Sequence, residues 1–142
     1  MKQGWGLMEY KRGSNTKVSK FFNSNEFDCH CGQCDTTLID PLLVLRLDIL
    51  REALGAAIVI LSGYRCALRQ QQIKEQGLET AKGISTHEQG KAADIYSRGF
   101  SGSHLAFKAK ESNFKRIGEA FNWIHVDVKD GEAHWFYKGA ET

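Results

Sequence analysis

Leu43, Leu47, Leu50 and Leu54 recur at intervals of four, three and four, the spacing that lines one face of an α-helix. Asp40-Pro41 just ahead supplies an N-cap and a proline suited to the first helical position, and Gly55 closes the segment. The pattern then changes to Ala57-Ile58-Val59-Ile60-Leu61, a short β-branched run between glycines that reads as a buried strand ending at Ser62-Gly63-Tyr64-Arg65. A second, polar helix is expected over residues 68–76, stopped by Gly77, with a loop over 82–90. Residues 92–96 read as a strand, 103–111 as a short helix, 115–120 as a weak strand and 123–128 as a firmer one. Residues 133–137 are expected to form the hairpin partner of that last strand, because Lys129-Asp130-Gly131 carries an Asp-Gly turn signal. The first 20 residues show little periodicity and read as a lead-in whose Trp5 and Tyr10 dock on the core. Helices interleaved with strands, without repeats or a linker, predict an α+β fold: one domain over 21–142, with a small antiparallel sheet and flanking helices.

Composition narrows the class without choosing the chemistry. A chain of 142 residues can bury a core without disulfides, and 42% hydrophobic with 25% charged residues is ordinary for a globular protein. The net charge of +2 is too small to argue for nucleic acid, although it suits an anionic polymer such as a bacterial wall. No run approaches the roughly 18 apolar residues a membrane span needs, and the first ten residues lack a signal-peptide core. The expectation is a monomer made in the cytosol and delivered by other means if it acts outside.

The chemistry lies in two stretches. In 123–128 a period of two sends Trp123, His125 and Asp127 to one face and Ile124, Val126 and Val128 to the core. His87 and Asp94 are seven apart with Gly90 between them, so a loop histidine and a strand carboxylate converge if the chain turns at the glycine. Singly, His87 reads first as a surface loop histidine and Asp94 as an ordinary capping carboxylate. Together His87, Asp94 and His125 are the candidate ligands of Zn²⁺: two imidazoles and a carboxylate suit this borderline ion, and three protein ligands leave a position for reactive water.

Four cysteines stand at 29, 31, 34 and 66. Cys29-His30-Cys31-Gly32-Gln33-Cys34 is open to three readings: a structural zinc knot closed by Cys66 or His30, disulfides, or unligated reduced thiols. Of the remaining histidines, His104 is expected in solvent, and His134 is a candidate hydrogen-bond donor to a transition state.

Ser62-Gly63-Tyr64-Arg65, Ser85-x-His87-x-x-Gly90-x-Ala92-x-Asp94 and His125-Val126-Asp127 resemble the zinc D-Ala-D-Ala carboxypeptidase and murein endopeptidase family, whose fold is shared with the hedgehog signalling domain. The resemblance runs from about Phe22 through Trp135. It implies a metallopeptidase acting on the peptidoglycan stem peptide, with zinc on His87, Asp94 and His125 and with Arg65 against the substrate. A guanidinium grips a carboxylate bidentately, so Arg65 suits a peptide's terminal carboxylate, while its alternative role is a structural salt bridge. Ser85 either orients a ligand or caps the loop. Small size without a leader resembles phage lysis or tail-associated enzymes. One position departs from the family: many members carry Glu or Asp three residues before the last zinc histidine, and here Asn122, with no useful basicity, stands there. Asp127 is the first replacement as catalytic base, or else a carboxylate that fixes a histidine; Glu119 and Glu88 come after it. The competing reading is a non-enzymatic zinc-containing module that binds cell wall or builds a virion.

Overall fold

The computed structural model describes residues 6–77 and 85–137. Trp5 and residues 82–84 of the expected loop lie outside them. The leucine stripe forms helix α1, Pro41–Leu54, with the Asp40 side chain accepting a hydrogen bond from the Leu42 amide at 2.9 Å and Gly55 in the left-handed conformation at φ 65°. Leu43, Leu47 and Leu50 are buried, as is Val44, and Leu54 packs against them from a half-buried position. The two other helices are α2, Ala67–Glu75, and α3, Gly102–Glu111, the latter capped by Ser101 Oγ accepting from the His104 amide.

Strands β1, Met8–Lys11, and β2, Thr36–Ile39, pair antiparallel as a small separate sheet. The expected lead-in therefore contributes a strand, and its Tyr10 packs against the core. The larger sheet holds β3, Val59–Ser62; β4, Ala92–Tyr96; β5, Arg116–Glu119; β6, Ile124–Asp127; and β7, Ala133–Phe136, in the order β3-β4-β6-β5-β7. Among the described residues, three α-helices and two sheets make the α+β domain that the pattern predicts. Its core is one cluster in which Ala93, Ile95, Ile117, Ile124 and Val126 of the sheet meet Leu43 and Leu47 of α1 and Leu105 and Ala109 of α3. No helix among the described residues is long and apolar enough to cross a membrane.

Two expectations are corrected. β7 is not the hairpin partner of β6: it runs parallel to β5, with Gly118 opposite Trp135. Both edges of β6 are already taken by β4 and β5, so the chain leaving β6 turns at Gly131, where φ is 96°, and crosses to the open edge of β5. Nor is β3 a fully buried strand. It is an edge strand that turns Ile58 and Ile60 inward while Val59 and Leu61 are 49% and 41% exposed.

Candidate metal centre

Sheet register builds most of the site. Asp94 of β4 lies directly across from His125 of β6, and Ala92 across from Asp127, so all four share the face turned away from the core. On the other side of β6, Gly118 and Arg116 of β5 stand opposite His125 and Asp127. The register of β3 shifts between Ile60 and Ser62, an irregularity that brings Ser62 opposite Asp94 and sends the following loop over the site.

His87 arrives from a tight turn rather than a strand. Ser85 Oγ accepts a hydrogen bond from the His87 amide at 3.2 Å, and the Glu88 and Gln89 amides donate to the Ser85 carbonyl. Ser85 thus caps the turn, one of its two expected roles. Gly90 ends it with φ 72°, and a β-carbon there would stand 2.8 Å from the Leu38 carbonyl oxygen, so both conformation and space demand glycine. The seven-residue separation of His87 and Asp94 closes in this way.

Within the site, His87 Nε2 is 3.2 Å and His125 Nδ1 3.1 Å from the same oxygen, Oδ1 of Asp94. Tautomers follow from the partners on the far side of each ring. His87 Nδ1 lies 2.8 Å from the Gly63 carbonyl, which only accepts, so that nitrogen carries the proton and Nε2 is left with its lone pair. His125 Nε2 lies 2.7 Å from Asp127 Oδ2 and donates to it, leaving Nδ1 with a lone pair. Two lone pairs and a carboxylate oxygen therefore converge in a buried spot, with His87 3%, Asp94 8% and His125 6% exposed. Three acceptors facing one another there require a cation, either a proton or a metal ion.

The electrostatics state the same requirement. Burial opposes ionisation of Asp94, yet His87 and His125 hold its carboxyl well below the usual carboxylate range. Burial also disfavours charge on His125, but Asp127 and Asp94 raise its pKa, because a proton is the cation available when no metal is bound. A metal ion would take that proton's place on ligand atoms that all lie within 4.8 Å of one another. The donor set, two imidazoles and a carboxylate, fits zinc.

Around these three, Arg65 donates through Nη2 to Asp94 Oδ2 at 3.1 Å and through Nε to Ser62 Oγ at 3.1 Å. Asp94 is so held by its outer oxygen while its inner one faces the imidazoles. Asp127 has no exposed side-chain surface, and both oxygens are engaged: Oδ2 by His125, Oδ1 by Arg116 Nε at 2.7 Å and by the Lys129 amide at 3.1 Å. Its pKa is lowered against the effect of burial by His125 and Arg116. Trp135 rests against His125 with ring centroids 5.3 Å apart, in space that a β-carbon on Gly118 would occupy at 2.6 Å from the indole. Trp123 stacks on Tyr137.

The other expected participants lie elsewhere. Glu119 and His134 form a pair at 2.8 Å, but Glu119 stands opposite Ile124 and His134 opposite Ile117, on the face of the sheet turned from the ligands. Strand alternation thus removes both from the site: the first as base, the second as donor. Asn122 is exposed in the turn between β5 and β6, and His104 is exposed as expected. Arg116, Trp135 and the Gly63 carbonyl were not foreseen. Arg116 was legible only through the β5–β6 register, Trp135 only through the β5–β7 pairing, and the carbonyl carries no side-chain signal.

A family model described as Peptidase M15 matches residues 20–127, a span that holds all three candidate ligands, Arg65 and Asp127. Comparisons with curated proteins and with solved structures return no match.

Proposed function

The chain belongs to the peptidase M15 family of zinc-dependent peptidases, and from that premise we propose that it hydrolyses peptide bonds in the stem peptides of bacterial peptidoglycan, with His87, Asp94 and His125 as its zinc ligands. The convergence of three buried acceptor atoms on one point carries this reading. When bound, zinc supplies a Lewis acid that polarises a peptide carbonyl and makes water a nucleophile near neutral pH.

The chain's own residues do the rest. The Gly63 carbonyl and Asp127 fix the two imidazole orientations, so that His87 Nε2 and His125 Nδ1 both turn inward to Asp94. Arg116 keeps Asp127 ionised and in place. Arg65 neutralises the outer oxygen of Asp94 with one N–H, and Ser62 takes another, two of the five that a guanidinium carries. We assign to the others the terminal carboxylate of a stem peptide. Charge balance supports that substrate: Arg65 and Arg116 offset Asp94 and Asp127, so a divalent ion leaves the centre net positive and attractive to an anionic peptide end. Trp135, against the His125 ring, gives the positive site an aromatic flank.

A second reading rests on Asn122 and on the fully engaged oxygens of Asp127: a zinc-loaded domain that binds wall peptide without cutting it, as part of a virion or a wall-targeting protein. The same assay separates the two. Zinc-loaded protein incubated with purified peptidoglycan and with soluble stem peptides is expected to release new amino groups, abolished by chelator and restored by zinc. Free D-alanine as product indicates carboxypeptidase action, and shortened cross-links indicate an endopeptidase. Binding of stem peptide without any new amine would overturn the peptidase in favour of the module.

A further inference from the structure

We propose that Cys29, Cys31, Cys34 and Cys66 hold a second zinc ion, a structural one, that clamps the loop carrying Arg65 over the metal centre. Metal binding by the thiols stands independently of the peptidase reading; the consequence for Arg65 rests on it.

The sulfurs are already gathered. All four Sγ atoms lie within 4.8 Å of one another, with Cys66 3.6 Å from Cys29 and 3.5 Å from Cys31. Sulfurs held about 2.3 Å from a central zinc stand ~3.8 Å apart at the corners of a tetrahedron, so these spacings fit a four-thiolate site. A disulfide needs about 2.05 Å, and all four cysteines are free. Cys66 closes the set from the N-cap of α2, while His30 is exposed between two ligands and takes no part.

Backbone donors are aimed at the sulfurs as they would be at thiolates. The amides of Gln33 and Cys34 both point at Cys31 Sγ at 3.3 Å, that of Cys66 at Cys29 Sγ at 3.4 Å, and that of Arg69 at Cys66 Sγ at 3.5 Å. N–H groups in these positions stabilise negative sulfur and fix its direction. Four thiolates around a divalent ion carry two net negative charges, and two arginines, Arg65 and Arg69, stand one residue before and three residues after Cys66 in the chain. Soft sulfur donors in this number select zinc over magnesium or calcium.

The position of the cluster gives it a purpose. Residues 62–66 are tied at one end to the thiols and along their length to the metal centre: Gly63 accepts from His87, the Tyr64 amide donates to Phe27, the Arg65 amide donates to the His87 carbonyl, and Cys66 is a ligand. A metal ion on the thiols thus fixes the segment that sets the His87 tautomer and presents Arg65. Each thiol gives up its proton on binding, so loading consumes no other reactant.

The test uses the full chain purified under reducing conditions and refilled with zinc or cobalt. Elemental analysis is expected to give two zinc ions per chain, and the cobalt form a strong thiolate-to-cobalt charge-transfer band. In the His87→Ala/His125→Ala variant one ion and the full band should remain, so failure at the histidine site leaves this result readable. In Cys31→Ser/Cys34→Ser the band should vanish. Because that variant risks misfolding, Cys34→His is the companion: imidazole is also a zinc ligand, so the ion should stay while the band weakens by roughly a quarter. Cobalt bound without a charge-transfer band, iron in place of zinc, or an intact mass showing native disulfides would each overturn the proposal.

Discussion

The two ligand clusters sit within one loop of each other, yet they are built in opposite ways. Asp94 and His125 project from adjacent central strands whose backbones are locked by pairing on both sides, and His87 comes from a turn capped by Ser85. The thiols come from an irregular loop and a helix N-cap, with no strand beneath them. The first set offers three donors beside two guanidiniums, so a divalent ion proposed there would keep surplus positive charge and a free corner. The second offers four thiols, which as thiolates would close the proposed ion and reverse its charge. Strand-borne ligands with an incomplete donor set suit chemistry; loop-borne ligands with a complete set suit bracing. In the proposed scheme donor number, rather than the identity of the ion, divides the reactive centre from the structural one.

The largest effect should come from removing a donor of the first cluster. His125→Ala should abolish one of two bound zinc ions and lower hydrolysis more than about a thousandfold, since a Lewis acid contributes several kcal/mol to the transition state. Retention of both ions on elemental analysis would break the assignment. Asp127→Asn should weaken zinc at this centre by about 10- to 100-fold, with activity recovered in excess zinc, because the carboxylate acts through His125. Unchanged zinc affinity with a lost acidic limb in the pH–rate profile would instead make Asp127 the base.

Breaking the second cluster should be milder for catalysis. Cys31→Ser/Cys34→Ser is expected to cost about tenfold in kcat/KM, mostly through KM, as Arg65 loses its bracing. A loss confined to kcat, with KM unchanged, would show that the thiols do not act through substrate contact.

The two clusters also predict different responses to pH. In metal-stripped protein His125 has a raised pKa, so its stabilising contribution is complete below its unfolded value of about 6.5 and is lost as pH climbs through the folded value. Asp94 and Asp127, with lowered values, contribute above about 3.9 and lose that contribution as pH falls through their folded values. The stripped protein should therefore resist urea better at about pH 5.5 than at about pH 8, and zinc should reverse the order because metal and protons compete for the same atoms. Parallel urea midpoints with and without zinc would contradict this. Least affected should be the pair on the opposite face: His134→Ala should lower the melting temperature by a few degrees and leave turnover within about twofold.

The half of the molecule governed by local rules was legible in the sequence. The α1 stripe with its aspartate cap and closing glycine, and the alternation that turns His125 and Asp127 away from Ile124 and Val126, depend on neighbours a few residues apart. What failed was long-range. The Asp-Gly signal correctly reverses the chain after β6, but it does not say which edge is free, so β7 and Trp135 were misplaced. Glu119 and His134 looked available because each is ionisable and close in sequence to the site; only register shows them on the other face. β1 and β2 leave no periodic signal because each is only four residues long and gains its pairing from the other. Cys66 could be assigned to the other three cysteines only as one option among several until β3 brought its loop beside them.

Residues 62–66 belong to both clusters at once, and that has a thermodynamic corollary. Whatever freedom this segment loses when the first ion binds is not lost again, so the second should bind more tightly than it would alone. Uptake should be cooperative, with singly loaded chains scarce at half saturation, and native mass spectrometry during a zinc titration would count them directly.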